Sequence, residues 1–350
     1  MSTRQKIFFS NNSFQQLQQF LADRFSLCFV LVDENTLKHC YPLVTDSLPQ
    51  HQLIQITSGE LNKTLDTCQK IWTALTKAGA DRKSVLINLG GGVIGDMGGY
   101  AAACYKRGIS FINIPTTLLA MVDASVGGKT GVDFMGFKNQ VGVFAEPEAV
   151  FIDTVFLATL PQRQLVSGFA EVIKHYLITD KKAFEVIATS LPALESYTWP
   201  EEVKRNVKIK EDIVKQDPDE QNIRKALNFG HTIGHAVESF FMQDTSAYLL
   251  HGEAIAVGLI AESYLSFKSG QLSEDELKQV QKVVLKYFKL PDIKTGDLPG
   301  VIELIKQDKK NEKSSARFTL LNGIGNYSIN NAVEEGLISE SLHYYNSLLA

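Results

Sequence analysis

Residues 84–100, SVLINLGGGVIGDMGGY, carry the most informative fold signal in the chain. A short apolar run at 84–88 leads directly into a glycine cluster, after which the sequence has helical character. Gly90, Gly92 and Gly95 match G-x-G-x-x-G, the pattern of a strand-to-helix turn that cradles a pyrophosphate. A glycine-rich packing turn has the same composition. The strand before the cluster and the helix after it favour a dinucleotide site.

Similar apolar, β-rich segments recur through the first half of the chain. Continuously apolar runs are typical of strands covered on both faces, as in a parallel sheet between helical layers. The segments are 27–32, 53–57, 84–88, 111–115 and 149–152, with helical stretches such as 62–78 between them. This alternation predicts an α/β dinucleotide-binding domain with a mostly parallel sheet over residues 1–159.

After residue 160 the pattern becomes mainly helical. The helical periodicities are 164–179, 182–194, 201–216, 225–243, 252–269, 274–288 and 298–306. The single strand-like run in this half is 318–321. The sequence therefore predicts a mainly α-helical domain over residues 160–350, and the candidate metal ligands and several of the candidate substrate residues described below fall within it.

Composition excludes several classes of protein. Hydrophobic residues at 44% and charged residues at 21% are typical of a globular chain. The formal net charge of -4 provides no basic excess for nucleic acid, and no apolar run is long enough to span a membrane. No secretory signal is recognisable, and the four cysteines form no C-x-x-C pair. We therefore expect reduced thiols and a cytoplasmic location.

Histidines cluster in a way that indicates a metal site. His231 and His235 stand four residues apart on a predicted helix, and His251 opens the next helix. Glu171 offers a carboxylate on an earlier helix, with His175 one turn beyond it. Two imidazoles, one carboxylate and an open position form a catalytic zinc site. Each histidine could instead be an ordinary core or surface residue, and spacing does not choose among the four.

Cationic residues form a further group. Lys129 and Lys138 are flanked by glycines in one predicted loop region after Asp123, but their spacing does not fit a P-loop. A single lysine most often lies on a solvated surface. Several cations beside a metal would suit a substrate that carries both phosphate and carboxylate. Those on or near predicted helices are Lys174, Lys210, Arg224 and Lys310.

The acidic residue that usually binds the ribose of a dinucleotide is displaced. It should end the strand after the glycine turn, about 20 residues on. That strand ends in Thr116 and Thr117, which carry no charge. Asp33, which follows the run 27–32, is an upstream alternative. It predicts a non-standard sheet order and a preference for NAD over NADP, because a carboxylate repels a 2′-phosphate.

In this order the motifs resemble the 3-dehydroquinate synthase family, of the sugar-phosphate cyclase group. The resemblance runs from about residue 33 to about residue 317. Its most specific segments are GGGVIGDMGGYAAACYKRG (90–108), IPTTLLAMVDASVGGKTGVD (114–133), GFKNQVGVF (136–144), FAEVIKH (169–175), LNFGHTIGHAVE (227–238) and HGEAIAVG (251–258).

The resemblance implies a fold of the dehydroquinate synthase type, with two cofactors. The NAD site would comprise Asp33, Asn35, Glu60, Lys63, Gly91, Gly92, Val93, Asp96, Thr116, Thr117, Lys129, Lys138, Phe156 and Thr159. The metal, Zn²⁺ with Co²⁺ as a substitute, would be bound by Glu171, His231 and His251.

It also implies a substrate site and catalytic roles. Substrate contacts would come from Asp123, Lys129, Lys138, Asn139, Lys174, Lys210, Arg224, Asn228 and Lys310. His235 would transfer protons, and Glu220, Lys129 and Arg107 would also be catalytic. The segment after Lys310, NEKSSARF, lacks the glycine that commonly precedes Arg-Phe. Whether Lys309 or Lys310 reaches the substrate therefore stays open.

The implied activity is that of a phosphorus–oxygen lyase in aromatic amino acid biosynthesis. It converts 3-deoxy-D-arabino-heptulosonate 7-phosphate to 3-dehydroquinate and phosphate. The steps are transient oxidation by NAD, phosphate elimination, re-reduction, ring opening and intramolecular aldol closure. A homodimer is expected. The alternatives are another sugar-phosphate cyclase, a metal-dependent polyol dehydrogenase of the same architecture, or an inactive ligand-binding protein.

Overall fold

The chain folds into two compact units. The computed structural model describes residues 6–9, 13–242, 248–308 and 316–349. Unit 1 comprises Met1–Leu165 and Thr198–Lys210, and unit 2 comprises Val166–Tyr197 and Glu211–Ala350. The sequence pattern predicts a single boundary, after residue 159, and gives no counterpart for the return of residues 198–210 to unit 1.

Unit 1 is built on a six-stranded sheet in the order β1-β8-β5-β4-β2-β3, in which every pair is parallel. The strands are β1 Lys6–Phe9, β2 Cys28–Asp33, β3 His51–Ile56, β4 Val85–Gly90, β5 Ser110–Pro115 and β8 Ala149–Ile152. The predicted α/β domain with a parallel sheet is confirmed, and β1 is an additional strand at the edge.

The helices before the second unit are α1 Ser13–Leu21, α2 Glu34–His39, α3 Tyr41–Val44, α4 Leu65–Lys77 and α5 Gly92–Cys104. Leu75 of α4 and Met97 of α5 belong to one buried cluster with Leu86 and Phe111 of the sheet. Each fully buried side chain of this size contributes about 1.5–3 kcal/mol. This apolar layer fixes α5 against β4, and so fixes the glycine turn between them.

The region predicted as a loop around Lys129 and Lys138 is a β-hairpin, so that prediction is wrong. Strands β6 Lys129–Phe134 and β7 Phe137–Phe144 pair antiparallel, with Phe134 opposite Phe137. Met135 and Gly136 between them both have positive φ, 51° and 82°. A two-residue turn of this conformation matches the twist of the strands it joins. The lysines therefore lie on strands.

Unit 2 is mainly helical, as predicted. Two helices begin in unit 1 and end in unit 2, namely α6 Gln162–Thr179 and α8 Trp199–Gln216. The others are α7 Lys181–Ser190, α9 His231–Phe241, α10 His251–Lys268, α11 Glu274–Tyr287, α12 Leu298–Asp308 and α13 Glu335–Ser347. The strands β9 Ala316–Leu321 and β10 Tyr327–Val333 pair antiparallel. Within the described residues, no helix combines the length and apolarity needed to cross a membrane.

The predicted helix 225–243 is confirmed over His231–Phe241, but its predicted start is wrong, and residue 243 lies outside the described residues. Residues Ile223–Asn228 form a 3₁₀ turn, and α9 begins only at His231. Gly230 precedes it in the left-handed conformation, with φ 78° and ψ -9°. Glycine adopts this conformation without a steric penalty, so it ends the turn and redirects the chain. His231 consequently lies in the first turn of α9.

Candidate cofactor and metal sites

The glycine cluster lies where β4 passes into α5. Gly91 is the N-cap of α5, and the amide of Thr116 donates to the carbonyl of Gly90 at 3.0 Å. A Cβ on Gly91 would lie only 3.0 Å from the Cγ2 of Thr117. Gly91 has no side chain that could cap the first amides of α5, so these amides can bind an anion. The predicted turn, with Gly92 and Val93 in the first helical turn, is confirmed.

The sheet order places Asp33 beside this turn. Strand β2 is the neighbour of β4, with Leu31 opposite Asn88. The chain runs from β2 to β3 on one side and from β4 to β5 on the other, and ligands bind at such switch points. Asp33 Oδ1 accepts the amides of Asn35 and Thr36 at 2.9 and 2.8 Å, which holds the carboxylate at the strand end. The strand order expected from Asp33, with β2 rather than β5 supplying the acid beside the glycine turn, is therefore present.

Five of the predicted residues of unit 1 form a polar network around the buried ammonium group of Lys63. Lys63 is 3% exposed, and its Nζ donates to Asp96 Oδ2 at 2.6 Å and Asn139 Oδ1 at 2.5 Å. Lys138 Nζ pairs with Glu60 Oε1 at 2.7 Å. Burial alone would lower the pKa of Lys63, but the nearby carboxylates of Asp96 and Glu60 outweigh this effect. The pKa of Lys63 is therefore raised above its ordinary value. Lys63 is therefore an ammonium group at neutral pH.

Asp133 belongs to the same network, although the sequence analysis did not single it out. Its Oδ1 accepts the amide of Asn139 at 2.8 Å. Its Oδ2 is buried and has no hydrogen-bond partner among the described residues. Burial and the carboxylate of Glu60 raise the pKa of Asp133 to about 6, against the opposing effect of Lys63 and Lys138. No local pattern marked it, because its contact with Asn139 depends on the pairing of β6 with β7.

The raised pKa of Asp133 predicts a pH-dependent stability. An unfolded aspartate titrates near pH 3.9, so the folded chain binds the proton more tightly than the unfolded chain. Folded stability therefore falls as pH rises from about 4 to about 6, and the loss persists above pH 6. Asp133→Asn keeps an acceptor for Asn139 and removes the charge. We expect it to stabilise by about 1 kcal/mol at pH 8, after discount for solvent screening, and not at pH 4.5.

Thermal unfolding at both pH values measures this effect. Asp81→Asn is the matched control, because hydrogen bonds from Ser26 and the Lys83 amide lower the pKa of Asp81. That variant should be less stable than the wild type at pH 8. If Asp133→Asn and the wild type have equal midpoints of thermal unfolding at pH 8, the ionised Asp133 carboxylate does not destabilise the fold.

The remaining predicted residues of unit 1 lie outside this network. Lys210 Nζ donates to the carbonyl and the carboxylate Oδ1 of Asp123, at 2.5 and 2.8 Å. Asp123 lies on a π-helical turn, Ala120–Ala124, a feature frequent at functional sites. Phe156 and Thr159 lie on a 3₁₀ turn after β8, and Arg107 and Lys129 are exposed.

In unit 2, three helices bring the predicted metal ligands together. Glu171 lies on α6, His231 on α9, and His251 at the start of α10. Glu171 Oε1 is 3.5 Å from His231 Nε2 and 3.6 Å from His251 Nε2. His235 is adjacent, since one nitrogen from each of His231, His235 and His251 lies within 4.8 Å of the others. The structure thus brings Glu171 and three of the four candidate histidines, His231, His235 and His251, close together.

Hydrogen bonds fix the orientation of two of these imidazoles. His231 Nδ1 faces the carbonyl of Phe229 at 3.1 Å, and His251 Nδ1 faces Glu238 Oε2 at 3.0 Å. A proton on each Nδ1 satisfies these acceptors and leaves the Nε2 lone pair directed at Glu171. Burial and Lys174 lower the pKa of His231 to about 4, so it is neutral at pH 7. Neutral imidazoles and a carboxylate are the donors that Zn²⁺ binds.

Two glycines allow the helices to approach this closely. A Cβ on Gly252 would lie 1.9 Å from the carbonyl oxygen of Ser167 on α6. A Cβ on Gly258 would lie 1.8 Å from the carbonyl oxygen of Gly230. Neither distance is compatible with a side chain, so α10 can contact α6 and the start of α9 only because these positions are glycine. His251 is placed near Glu171 by this packing.

Other predicted residues surround the ligands in unit 2. Lys174, which is 1% exposed, forms an ion pair with Glu171. Glu220 Oε1 accepts from Asn228 Nδ2 at 2.8 Å, and the nearby Arg224 is buried. Lys309 and Lys310 lie outside the described residues. Asp217, which the sequence analysis missed, accepts the amides of Gln221, Asn222 and Arg224 and so orders the segment that carries Glu220 and Arg224.

Comparison with known proteins identifies the family. The model of the 3-dehydroquinate synthase N-terminal domain matches residues 53–167, and that of the C-terminal domain matches residues 168–311. The 3-dehydroquinate synthase of Parabacteroides distasonis is 44% identical over 348 residues, which cover 98% of each chain. The chain belongs to the 3-dehydroquinate synthase family. The resemblance seen in the sequence is confirmed.

Solved structures of related cyclases have the same fold. One is 2-epi-5-epi-valiolone synthase from Streptomyces hygroscopicus with NAD⁺ and Zn²⁺ bound, at a TM-score of 0.87 and 26% identity over 99% of this chain and 98% of that chain. Another is 2-deoxy-scyllo-inosose synthase with carbaglucose-6-phosphate, NAD⁺ and Co²⁺, at a TM-score of 0.84 and 26% identity over 97% of this chain and 96% of that one. The predicted fold class is confirmed.

Proposed function

We propose that the chain catalyses the reaction of its family, from 3-deoxy-D-arabino-heptulosonate 7-phosphate to 3-dehydroquinate and phosphate. The observation that carries the proposal is the convergence of two Nε2 atoms on the carboxylate of Glu171 in a chain that belongs to this family. One buried cation, Lys174, lies beside this carboxylate, and cations suit a substrate that carries phosphate and carboxylate groups.

The metal would be Zn²⁺, for which Co²⁺ can substitute, held by Glu171, His231 and His251. The donor set fits, because both imidazoles present Nε2 while Nδ1 is occupied by an acceptor. When bound, the ion supplies Lewis-acid polarisation of a substrate oxygen. His235, whose ring centroid lies 5.1 Å from that of His231, would move a proton rather than bind the metal.

NAD would bind in unit 1, at the switch point between β2 and β4. The backbone of Gly91 and Gly92 would face the pyrophosphate, and Asp33 would accept the ribose hydroxyls. The ion pair between Lys63 and Asp96 would hold the groups around the turn in place. The cofactor supplies reversible acceptance of a hydride from a secondary alcohol.

Retention of the hydride separates this function from that of a polyol dehydrogenase. A dehydrogenase releases reduced cofactor in every turnover, whereas here the hydride would be returned before product leaves. With Zn²⁺ and NAD far below the substrate concentration, we expect inorganic phosphate to appear in step with substrate loss. Absorbance from NADH should not rise in parallel. An assay that follows phosphate and NADH together measures both.

Variants of the cationic residues test whether these residues bind the substrate. Lys210→Ala and Lys174→Ala should each slow phosphate release, because each removes a buried ammonium group from the proposed substrate site. Lys278→Ala on α11 is the control, since its side chain is 61% exposed. If NADH accumulates mole for mole with the substrate consumed, the proposed reaction is wrong and the dehydrogenase is the better account.

We also propose a homodimer in the cytoplasm. Phe134 and Met135 at the turn of the β6–β7 hairpin are 45% and 81% exposed, and exposed apolar side chains at such a tip favour contact with a second copy. Light scattering of the purified chain measures its mass.

All four cysteines are free thiols, which fits a reducing compartment.

A further inference from the structure

We propose that Glu238 is a positioning residue for the metal site, which holds His251 in the orientation and tautomer that bind the ion. The inference rests on the proposed function only in taking His251 as a ligand. Glu238 lies on α9, seven residues after His231 and three after His235, so the three side chains share a helix face. This spacing was visible in the sequence, but its partner on α10 was not.

The contact has the geometry of a charge-assisted hydrogen bond. Glu238 Oε2 lies 3.0 Å from His251 Nδ1, and the Glu238 side chain is only 1% exposed. A carboxylate this deeply buried must be paired, because its desolvation is costly. On the opposite side of the same ring, His251 Nε2 points to Glu171 Oε1 at 3.6 Å. The imidazole therefore bridges a buried carboxylate and the point where the metal ligands converge.

A carboxylate at this position would affect the metal in two ways. It fixes the proton on Nδ1, so that the Nε2 lone pair is always available. It also increases the basicity of the imidazole as a ligand. His231 differs, because its Nδ1 faces the backbone carbonyl of Phe229, which no side-chain substitution removes. Of these two imidazoles, His251 is the one whose orientation depends on a replaceable side chain.

A purely structural role would have different consequences. Glu262 on α10 is also buried, but its two oxygens accept the amides of Gly230 and Ile233 and hold the start of α9. Glu253 on α10 accepts the amide of Leu250 at 2.8 Å and caps that helix. Each stabilises a helix end. The described bond of Glu238 reaches an imidazole instead, so its loss should act on metal affinity more than on folding.

The experiment measures the Zn²⁺ dissociation constant of the full chain by competition with a chromophoric chelator. Glu238→Gln keeps the shape and an acceptor but removes the charge, and Glu238→Ala removes both. Loss of such an outer partner costs about 10–100-fold in affinity, so we expect a graded loss, with Glu238→Ala at the upper end. The d–d spectrum of the Co²⁺-loaded chain should also shift in both variants.

Matched controls separate positioning from folding. Glu253→Gln, a buried glutamate two residues from His251, should leave the dissociation constant unchanged. The thermal midpoint of metal-free Glu238→Gln should equal that of the metal-free wild type. If Glu238→Gln and Glu238→Ala bind Zn²⁺ as tightly as the wild type, the inference is wrong and the proposed function is unaffected. If the wild-type chain itself binds no Zn²⁺, both are refuted.

Discussion

Replacing His251 by alanine is expected to abolish stoichiometric metal binding and, with it, catalysis. Only Glu171 and His231 would remain of the proposed ligands, and two protein ligands rarely hold Zn²⁺. Affinity should fall further than the 10–100-fold expected for loss of an outer partner. Metal catalysis contributes several kcal/mol, so the rate at limiting metal should fall by about 10²–10⁴-fold.

Elemental analysis of the dialysed variant, with the phosphate-release assay, measures both effects. His343→Ala is the control, because His343 is exposed on α13. Chelation of the wild type should likewise abolish activity, and Zn²⁺ or Co²⁺ should restore it. A His251→Ala chain that retains one metal per protomer would remove His251 from the ligand set.

Replacing His235 by asparagine is expected to slow the reaction by about 10²–10⁴-fold while the metal stays bound. Its ring centroid lies 5.1 Å from that of His231 and 5.7 Å from that of His251, so it is close enough to be a ligand itself. We assign it proton transfer because the Glu171 carboxylate already faces Nε2 of the other two histidines. Asparagine keeps a polar group but cannot exchange a proton near neutral pH.

Metal content and kcat, measured on one preparation, distinguish the two roles. In the wild type, a proton-transfer histidine should give the pH profile of kcat a limb that is absent from His235→Asn. Metal loss from His235→Asn equal to that from His251→Ala would instead place His235 among the ligands. Glu171→Gln then becomes the decisive comparison, because it would keep the metal if three histidines hold it.

The local part of the site was predictable from the sequence. Strand, glycine cluster and helix at 84–100 are adjacent in the chain, so their apolar run and their glycines indicate the turn directly. The i, i+4 spacing of His231 and His235 likewise places both on one face of α9. Helical and extended periodicities arise from backbone geometry over a few residues, and a single sequence contains that information.

Prediction of helices and strands failed where the conformation of one residue, or the pairing of one strand, decided the local structure. Gly230 adopts the left-handed conformation just before α9, so the helix begins six residues later than the periodicity predicted. The β6–β7 hairpin depends on positive φ at Met135 and Gly136, and methionine carries no turn signal. The short edge strand β1 is stabilised by its pairing with β8, more than 100 residues away in the chain.

The sequence by itself determined the family, the α/β and helical halves, and the residues that could do the chemistry. Only the tertiary structure decided which of them meet. Glu171 reaches His231 and His251 because Gly252 and Gly258 let α10 approach α6 and the start of α9. Asp133 and Glu238 acquired roles only through partners on other elements. Contacts between distant segments depend on how whole helices and strands pack, and one sequence read by local pattern does not contain that geometry.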